Sequence, residues 1–191
     1  MTQTILVDMQ LSHTACSCAI NVPIDKVDLA TWLFKLSEGE YRRCCPPDHI
    51  SCGTTLTDEG QRMVINVEMI GHALMIQRYV AETATPTSCK LVSVSEAFTP
   101  NGRTQVQVVR TLDVKKADEN TCELVSSITV HPTAEFMDFI AQHKIKFKHA
   151  VGARQHVEDE HNRRETPLMA ASVERMALGQ AQQGSRSAGA V

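Results

Sequence analysis

The spacing of hydrophobic positions changes character twice along the chain. From residue 13 to 22 small and apolar residues alternate (HTACSCAINV) until Pro23, which predicts a first strand. Asp25 or Asp28 can then cap a helix in which Val27, Ala30, Trp32, Leu33, Phe34 and Leu36 recur at helical spacing up to Gly39. Glu40–Cys45 adds a short helical turn, broken by Pro46-Pro47. Six β-rich segments follow, at 49–57, 62–70, 72–82, 89–98, 104–115 and 121–131, with turn signals such as Asp-Glu-Gly, Ile-Gly-His and Pro-Asn-Gly between them. Connections this short mean antiparallel hairpins, because a parallel crossover needs a dozen or more residues. Helical spacing returns after His131-Pro132. Thr133 caps a helix carrying Phe136, Phe139 and Ile140, and a second helix runs from Phe147 towards Arg163 with Phe147, Ala150, Val151, Arg154 and Val157 as one stripe. Thr166-Pro167 reads as an N-cap and first-turn proline opening a last helix to Leu178. Residues 1–178 thus make one domain, and the Gln/Ser/Gly/Ala-rich stretch 179–191 is expected to be a disordered tail.

The register follows from the Pro100-Asn101-Gly102 hairpin. A three-residue loop with Gly102 left-handed pairs Phe98 with Thr104, Glu96 with Val106 and Val94 with Val108, so that the apolar faces agree. A two-residue Asn-Gly loop would slip the register by one and make the inner face more polar. In the first register His72, Leu74, Ile76 and Arg78 share the inner face of their strand, and Val92, Val94, Glu96 and Phe98 that of the next.

Composition narrows the functions. A chain of 191 residues with 42% hydrophobic residues is long enough for one ordinary core, and a formal charge of -3 gives no electrostatic footprint for nucleic acid. No apolar run could span a bilayer, and the first residues lack the features of a secretory signal, so the expected location is cytoplasmic with no membrane partner. The seven cysteines are an odd number and are expected to be reduced; Cys16/Cys18 and Cys44/Cys45 do not have zinc-ribbon spacing.

A single curved antiparallel sheet with two helical regions can bury its concave face only by wrapping around one of them, and the C-terminal helix is the longest. The expected fold is therefore α+β, a helix-grip in which a curved antiparallel β-sheet wraps around a long C-terminal α-helix. This order of elements resembles the START/Bet v1-like (SRPBCC) superfamily. The resemblance implies a cavity between sheet and helix for an apolar or aromatic small molecule. His156-Val-Glu-Asp-Glu160 carries a further resemblance, to the bacterial diacetylphloroglucinol hydrolases, helix-grip enzymes that cut a carbon–carbon bond to an acetyl group using zinc. In that family a His and a Glu from the sheet and an H-x-x-x-E pair on the C-terminal helix hold the metal. The implied Zn²⁺ ligands are His72, Glu96, His156 and Glu160.

The residues themselves leave alternatives open. Side chains at i and i+4 on a helix reach a common point, yet His156 and Glu160 also fit a solvated face in the charged run 158–165. Glu96 and Arg110, if both face inward, must pair, bind metal or contact ligand; otherwise Glu96 stays wet at the rim beside Thr99-Pro100. One of Arg78 and Tyr79 faces the cavity. His149, Arg78 and Arg110 are the candidate catalytic groups, and Trp32, Met75, Tyr79, Val94, Phe98, Val108 and Ala153 the candidate lining. His49, His131 and His143 fall at element ends, where solvated or capping histidines are the default, and His161, Arg164 and Glu165 are assigned to the helix junction. Three functions follow: a metal-assisted hydrolase of a phenolic or polyketide-like ketone, a non-catalytic carrier or sensor, and a metal-free cyclase or dehydratase in which His149 or Glu96 shuttles protons. Leu168, Val173 and Met176 fit either a homodimer contact or an intramolecular one.

Overall fold

A computed structural model of the protein describes residues 3–188, with side chains over 3–179. Seven strands, β1 (Ser12–Ile20), β2 (His49–Leu56), β3 (Arg62–Ile70), β4 (Ala73–Ala84), β5 (Ser88–Thr99), β6 (Gly102–Lys116) and β7 (Cys122–Pro132), form one antiparallel sheet in the order β1-β7-β6-β5-β4-β3-β2. The six hairpin-linked strands form a meander, and β1 pairs with β7. Among the described residues there are four α-helices, α1 (Leu29–Lys35), α2 (Glu38–Cys44), α3 (Ala134–Gln142) and α4 (Phe147–Ala188), and a short 3-10 turn at Ile24–Lys26. The sheet curves around α4 in the expected helix-grip arrangement.

Local chemistry sets the helix ends. Asp28 accepts from the Thr31 amide at 2.9 Å and caps α1, and Thr133 accepts from the Phe136 amide at 3.0 Å and caps α3. The helix expected up to Gly39 ends at Lys35, and the short helical turn expected at Glu40–Cys45 is α2, which starts earlier, at Glu38, because Ser37 caps it. The two helices expected after Phe147 are one. Pro167 lies inside α4 rather than at a start. An interior proline costs about 3 kcal/mol or more, a cost offset by burying the apolar Met169, Ala170 and Val173 just beyond it. Val173 is buried and Met176 half-buried within the chain, while Leu168 is exposed. Residues 189–191 of the expected tail lie outside the described residues, and for 180–188 only the course of the backbone is described.

The register at the Pro100-Asn101-Gly102 hairpin is neither of those weighed from sequence. Phe98 pairs with Arg103, Glu96 with Gln105 and Val94 with Gln107, leaving Pro100-Asn101 as a two-residue loop before Gly102 at φ 125°. The inner faces are consequently opposite to expectation: Met75, Gln77 and Tyr79 on β4 and Leu91, Ser93, Ser95 and Ala97 on β5 point inward. Val94 and Phe98 are exposed on the outer face with Arg78, and Glu96 is half-buried there. The reason is physical. The inner face carries Glu68, Gln77, Ser93, Ser95 and Arg110, so choosing the register that gathers apolar residues selects the outer face.

Among the described residues all seven cysteines are free, and no helix is long and apolar enough to cross a membrane.

Candidate functional site

The space between sheet and α4 has two ends. At one end, the first turns of α4, α3 and the β3–β4 and β5–β6 hairpins enclose a cavity of about 450 Å³. Its walls are mostly carbon, from residues such as Leu11, Ile70, Val106, Phe136, Phe139 and Val157. The β3–β4 turn reaches the helix closely: at Gly71 (φ +60°) an added Cβ would lie 2.8 Å from Val157 Cγ1. His72 and His149 are exposed at the mouth, while Arg154 and Thr104 are the polar groups set deeper in the wall.

At the other end the interior is charged. The inward stripe of α4 continues from Arg154 through Glu158, His161 and Glu165, each close to a whole number of turns from the last. Arg154 pairs with Glu158 at 2.7 Å. Glu165 receives Arg110 from β6, Nη2 to Oε2 2.7 Å. Tyr41 of α2 donates its hydroxyl to Glu68 of β3 at 2.8 Å, and its ring stacks on His49, the first residue of β2, with centroids 3.9 Å apart.

The two histidines in this cluster are held in matching ways. His49 Nδ1 lies 2.8 Å from the Tyr41 carbonyl, which can only accept, so Nδ1 carries the proton and Nε2 of the neutral ring offers a lone pair. His161 Nδ1 lies 3.0 Å from Asp48 Oδ2, which fixes its Nε2 in the same way. Both Nε2 atoms face the same two carboxylates. His49 Nε2 is 3.3 Å from Glu68 Oε2 and 3.3 Å from Glu165 Oε1, and His161 Nε2 is 3.8 Å from Glu68 Oε2 and 3.8 Å from Glu165 Oε2. His49 Nε2, His161 Nε2 and Glu165 Oε1 are nonetheless buried without a hydrogen-bond partner, so none of these short edges is aligned as a hydrogen bond.

Such an arrangement can hold a proton or a metal ion. Cys45, His49 and His161 offer donor atoms within 4.8 Å of one another and could hold a metal. Within that group the Cys45 thiol is pushed up to about 12, by burial and then by Glu165. It lies 3.8 Å from His161 Nδ1, the nitrogen that Asp48 already occupies. The free nitrogens face Glu68 and Glu165, so these four side chains offer an alternative donor set.

Electrostatics separate the carboxylates. Burial alone would raise Glu165, but Arg110 and the facing histidines hold it well below the usual carboxylate range. Burial pushes Glu158 up, with Arg154 opposing. Burial likewise works against a charged His49, and the facing Glu165 outweighs it, so the imidazole is raised.

The four residues named from sequence as metal ligands do not meet. His72 is exposed at the cavity mouth, and His156 and Glu160 are exposed on the far side of α4. Glu96 lies on the outer sheet face, held by Arg103 at 2.8 Å and Arg78 at 3.4 Å. Arg78 is exposed with it; Arg110 is buried against Glu165, and His149 sits at the mouth of the cavity. Of the proposed lining, Ala153 faces the cavity. Met75, Tyr79 and Val108 are buried on the inner sheet face, and Trp32 is buried between α1 and α4, bonded to Ser172. The H-x-x-x-E spacing also occurs at His161-Asn-Arg-Arg-Glu165. A helix read straight through Pro167 would have placed that pair on the stripe of Arg154.

No family model matches the chain, and no curated protein matches it in sequence. Among solved structures it is similar to the Zhui aromatase/cyclase from Streptomyces sp. R1128 (16% identity, TM-score 0.54, covering 94% of this chain and 98% of that one). It is also similar to a protein from Thermus thermophilus (11%, TM-score 0.54, 88% and 98%). A norcoclaurine synthase point mutant from Thalictrum flavum, in complex with a transition-state analogue, matches too (11%, TM-score 0.50, 95% and 99%). These likenesses establish a Bet v1-like helix-grip fold, the class whose members were expected from the order of elements.

Proposed function

We propose that this protein binds an apolar small molecule in the 450 Å³ cavity and holds a divalent metal ion, zinc by its donor set, between His49, Glu68, His161 and Glu165. On this reading it acts as a metal-assisted hydrolase of a phenolic or polyketide-like ketone. The observation that carries the metal is the pair of buried Nε2 atoms without hydrogen-bond partners, both turned to the same two carboxylates. Zinc–ligand bonds of about 2.0–2.2 Å set tetrahedral ligand–ligand edges at roughly 3.3–3.6 Å. The two His49 edges are 3.3 Å, within that range, and the two His161 edges, at 3.8 Å, lie just beyond it. The partners of the Nδ1 atoms, a backbone carbonyl and a carboxylate, are those that metal-binding histidines use to fix their rings. The donor set also fits the diacetylphloroglucinol hydrolase resemblance, one His and one Glu from the sheet and H-x-x-x-E from the helix, at His49, Glu68, His161 and Glu165 rather than at His72, Glu96, His156 and Glu160.

Zinc bound there would supply Lewis acidity to polarise a carbonyl or lower the pKa of a water. The chain's own residues do the rest. Arg110 holds Glu165 ionised and oriented, Tyr41 holds Glu68, and Glu158, its carboxyl pushed up by burial, pairs with Arg154 at the boundary with the cavity. The aromatase/cyclase and the norcoclaurine synthase are enzymes on the same fold, which supports turnover without fixing its chemistry. A carrier or sensor is the second reading, favoured by the cavity lining, which includes none of the four cluster residues.

The test is the metal content of protein purified without a histidine tag, for wild type, His161→Ala and His156→Ala. One metal per chain, lost in His161→Ala and kept in His156→Ala, is expected. Wild type without metal overturns the metal site. Metal together with no cleavage of acylated phenols leaves the carrier reading.

A further inference from the structure

Among the described residues, Arg154 is the arginine that lines the apolar cavity. Its side chain is 14% exposed, and its neighbours are one carboxylate and one thioether: Glu158 Oε2 at 2.7 Å from Nη2 and Met75 Sδ at 3.9 Å from Nη1. Nε and Nη2 have no aligned hydrogen-bond partner. A guanidinium presents five N–H donors, and leaving them unmet away from water is costly. The one counter-charge is weak as well, because burial pushes the Glu158 carboxyl towards its neutral form. On β6, in the same cavity wall, Thr104 is 2% exposed and its Oγ1 has no partner. Two unmet polar groups thus stand in a chamber whose other deep walls are Leu11, Ile70, Val106 and Ile140.

We propose that the cavity is built for an apolar molecule that ends in an oxyanion, a carboxylate or an enolate, which enters body-last and is received by Arg154 with Thr104 as an auxiliary donor. The apolar body lies between Phe136, Phe139 and Val106, where burial drives binding without direction. The oxyanion supplies the direction: it meets the donors that the protein leaves open and the charge that Glu158 only partly balances. A neutral alcohol of the same length gains the burial and loses the charge-assisted bond, and a cation is repelled. This ligand class presupposes the binding cavity proposed above, and it does not require the metal.

The experiment is displacement of the neutral dye Nile red by decanoate, decanol and decylamine, in wild type, Arg154→Met, Arg154→Met/Glu158→Gln and Thr104→Val, with and without EDTA. A charge-assisted hydrogen bond predicts that decanoate binds wild type about tenfold tighter than decanol, with decylamine weakest. In both Arg154 variants the advantage of decanoate falls to within about twofold while decanol is unchanged, and Thr104→Val loses about threefold in decanoate affinity. The double variant removes the unpaired Glu158, so a folding defect of the single variant does not obscure the result. Equal affinities for decanoate and decanol in wild type overturn the oxyanion site, as does an advantage that survives in the Arg154 variants or disappears with EDTA. Failure of every probe to displace the dye, or of the dye to bind, overturns the cavity reading itself.

Discussion

The inner stripe of α4 meets two different surroundings. In its first turns Ala150, Ala153 and Val157 line the apolar cavity; further on, Glu158, His161 and Glu165 are buried in a closed cluster where each charge is set against others. At the cavity end Ala150 and Val157 are only half-buried. The cluster end gains its order from polar partners in low dielectric, so removing one member there leaves another stranded. The apolar cavity and the charged cluster thereby lie side by side along one helix, with the Arg154–Glu158 pair at the boundary.

The largest expected effect tests that difference at the closed end. Glu165→Ala leaves Arg110 buried without its partner and destabilises the fold by about 3–5 kcal/mol in chemical denaturation, whereas Arg110→Met/Glu165→Leu, which removes both charges, recovers most of that loss. If the double variant is as unstable as the single one, the cluster is held by something other than mutual charge compensation.

At the open end a comparable change in size has the opposite consequence. Ala153 faces the cavity from an exposed helix position, so Ala153→Trp fills the space with stability altered by about 0.5 kcal/mol. Nile red affinity drops at least tenfold. Also at the open end lies Gly71, whose left-handed conformation and 2.8 Å approach to Val157 leave no room for a methyl group. Gly71→Ala costs about 1–2 kcal/mol for the left-handed backbone alone, and adding Val157→Ala returns only the steric share. Thermal melts of the three proteins separate the two.

The same two ends differ in how far the sequence discloses them. All seven strands and the α3 cap at Thr133 follow from alternation, turn residues and capping chemistry, because these are local rules. The wrapped helix follows from what a curved sheet must cover. The charged end is less legible for a definite reason. Alternation identifies a strand but not which of its faces is inside, and the inner face here carries Glu68, Ser95 and Arg110 while Val94 and Phe98 face out. Pro167 compounds the error: read as a helix start, it separates His161 and Glu165 from the stripe that Arg154 marks. His49 gives no local signal at all, since its role arises from stacking on Tyr41 and from carboxylates far away in the chain.

The smallest effect sharpens the contrast between closed and open electrostatics. Glu40 also sits among arginines, accepting from Arg43 and Arg175, but both of these are exposed. Burial opposes ionisation, and Arg175, Ser172 and Arg43 outweigh it, lowering the carboxyl from 4.5 to about 2. A depressed folded pKa means that the interaction is fully present above the unfolded value near 4.5 and is lost as pH falls towards 2. Because the partners are solvated, its size is about 0–1 kcal/mol and shrinks with salt. Glu40→Gln should therefore match wild type in stability at pH 2, fall slightly below it at pH 6, and converge with it again in 1 M salt, a concentration that screens within about 3 Å. A deficit at pH 6 that persists in high salt would put Glu40 with the closed cluster, as part of a buried device joining α2 to α4, rather than with the surface.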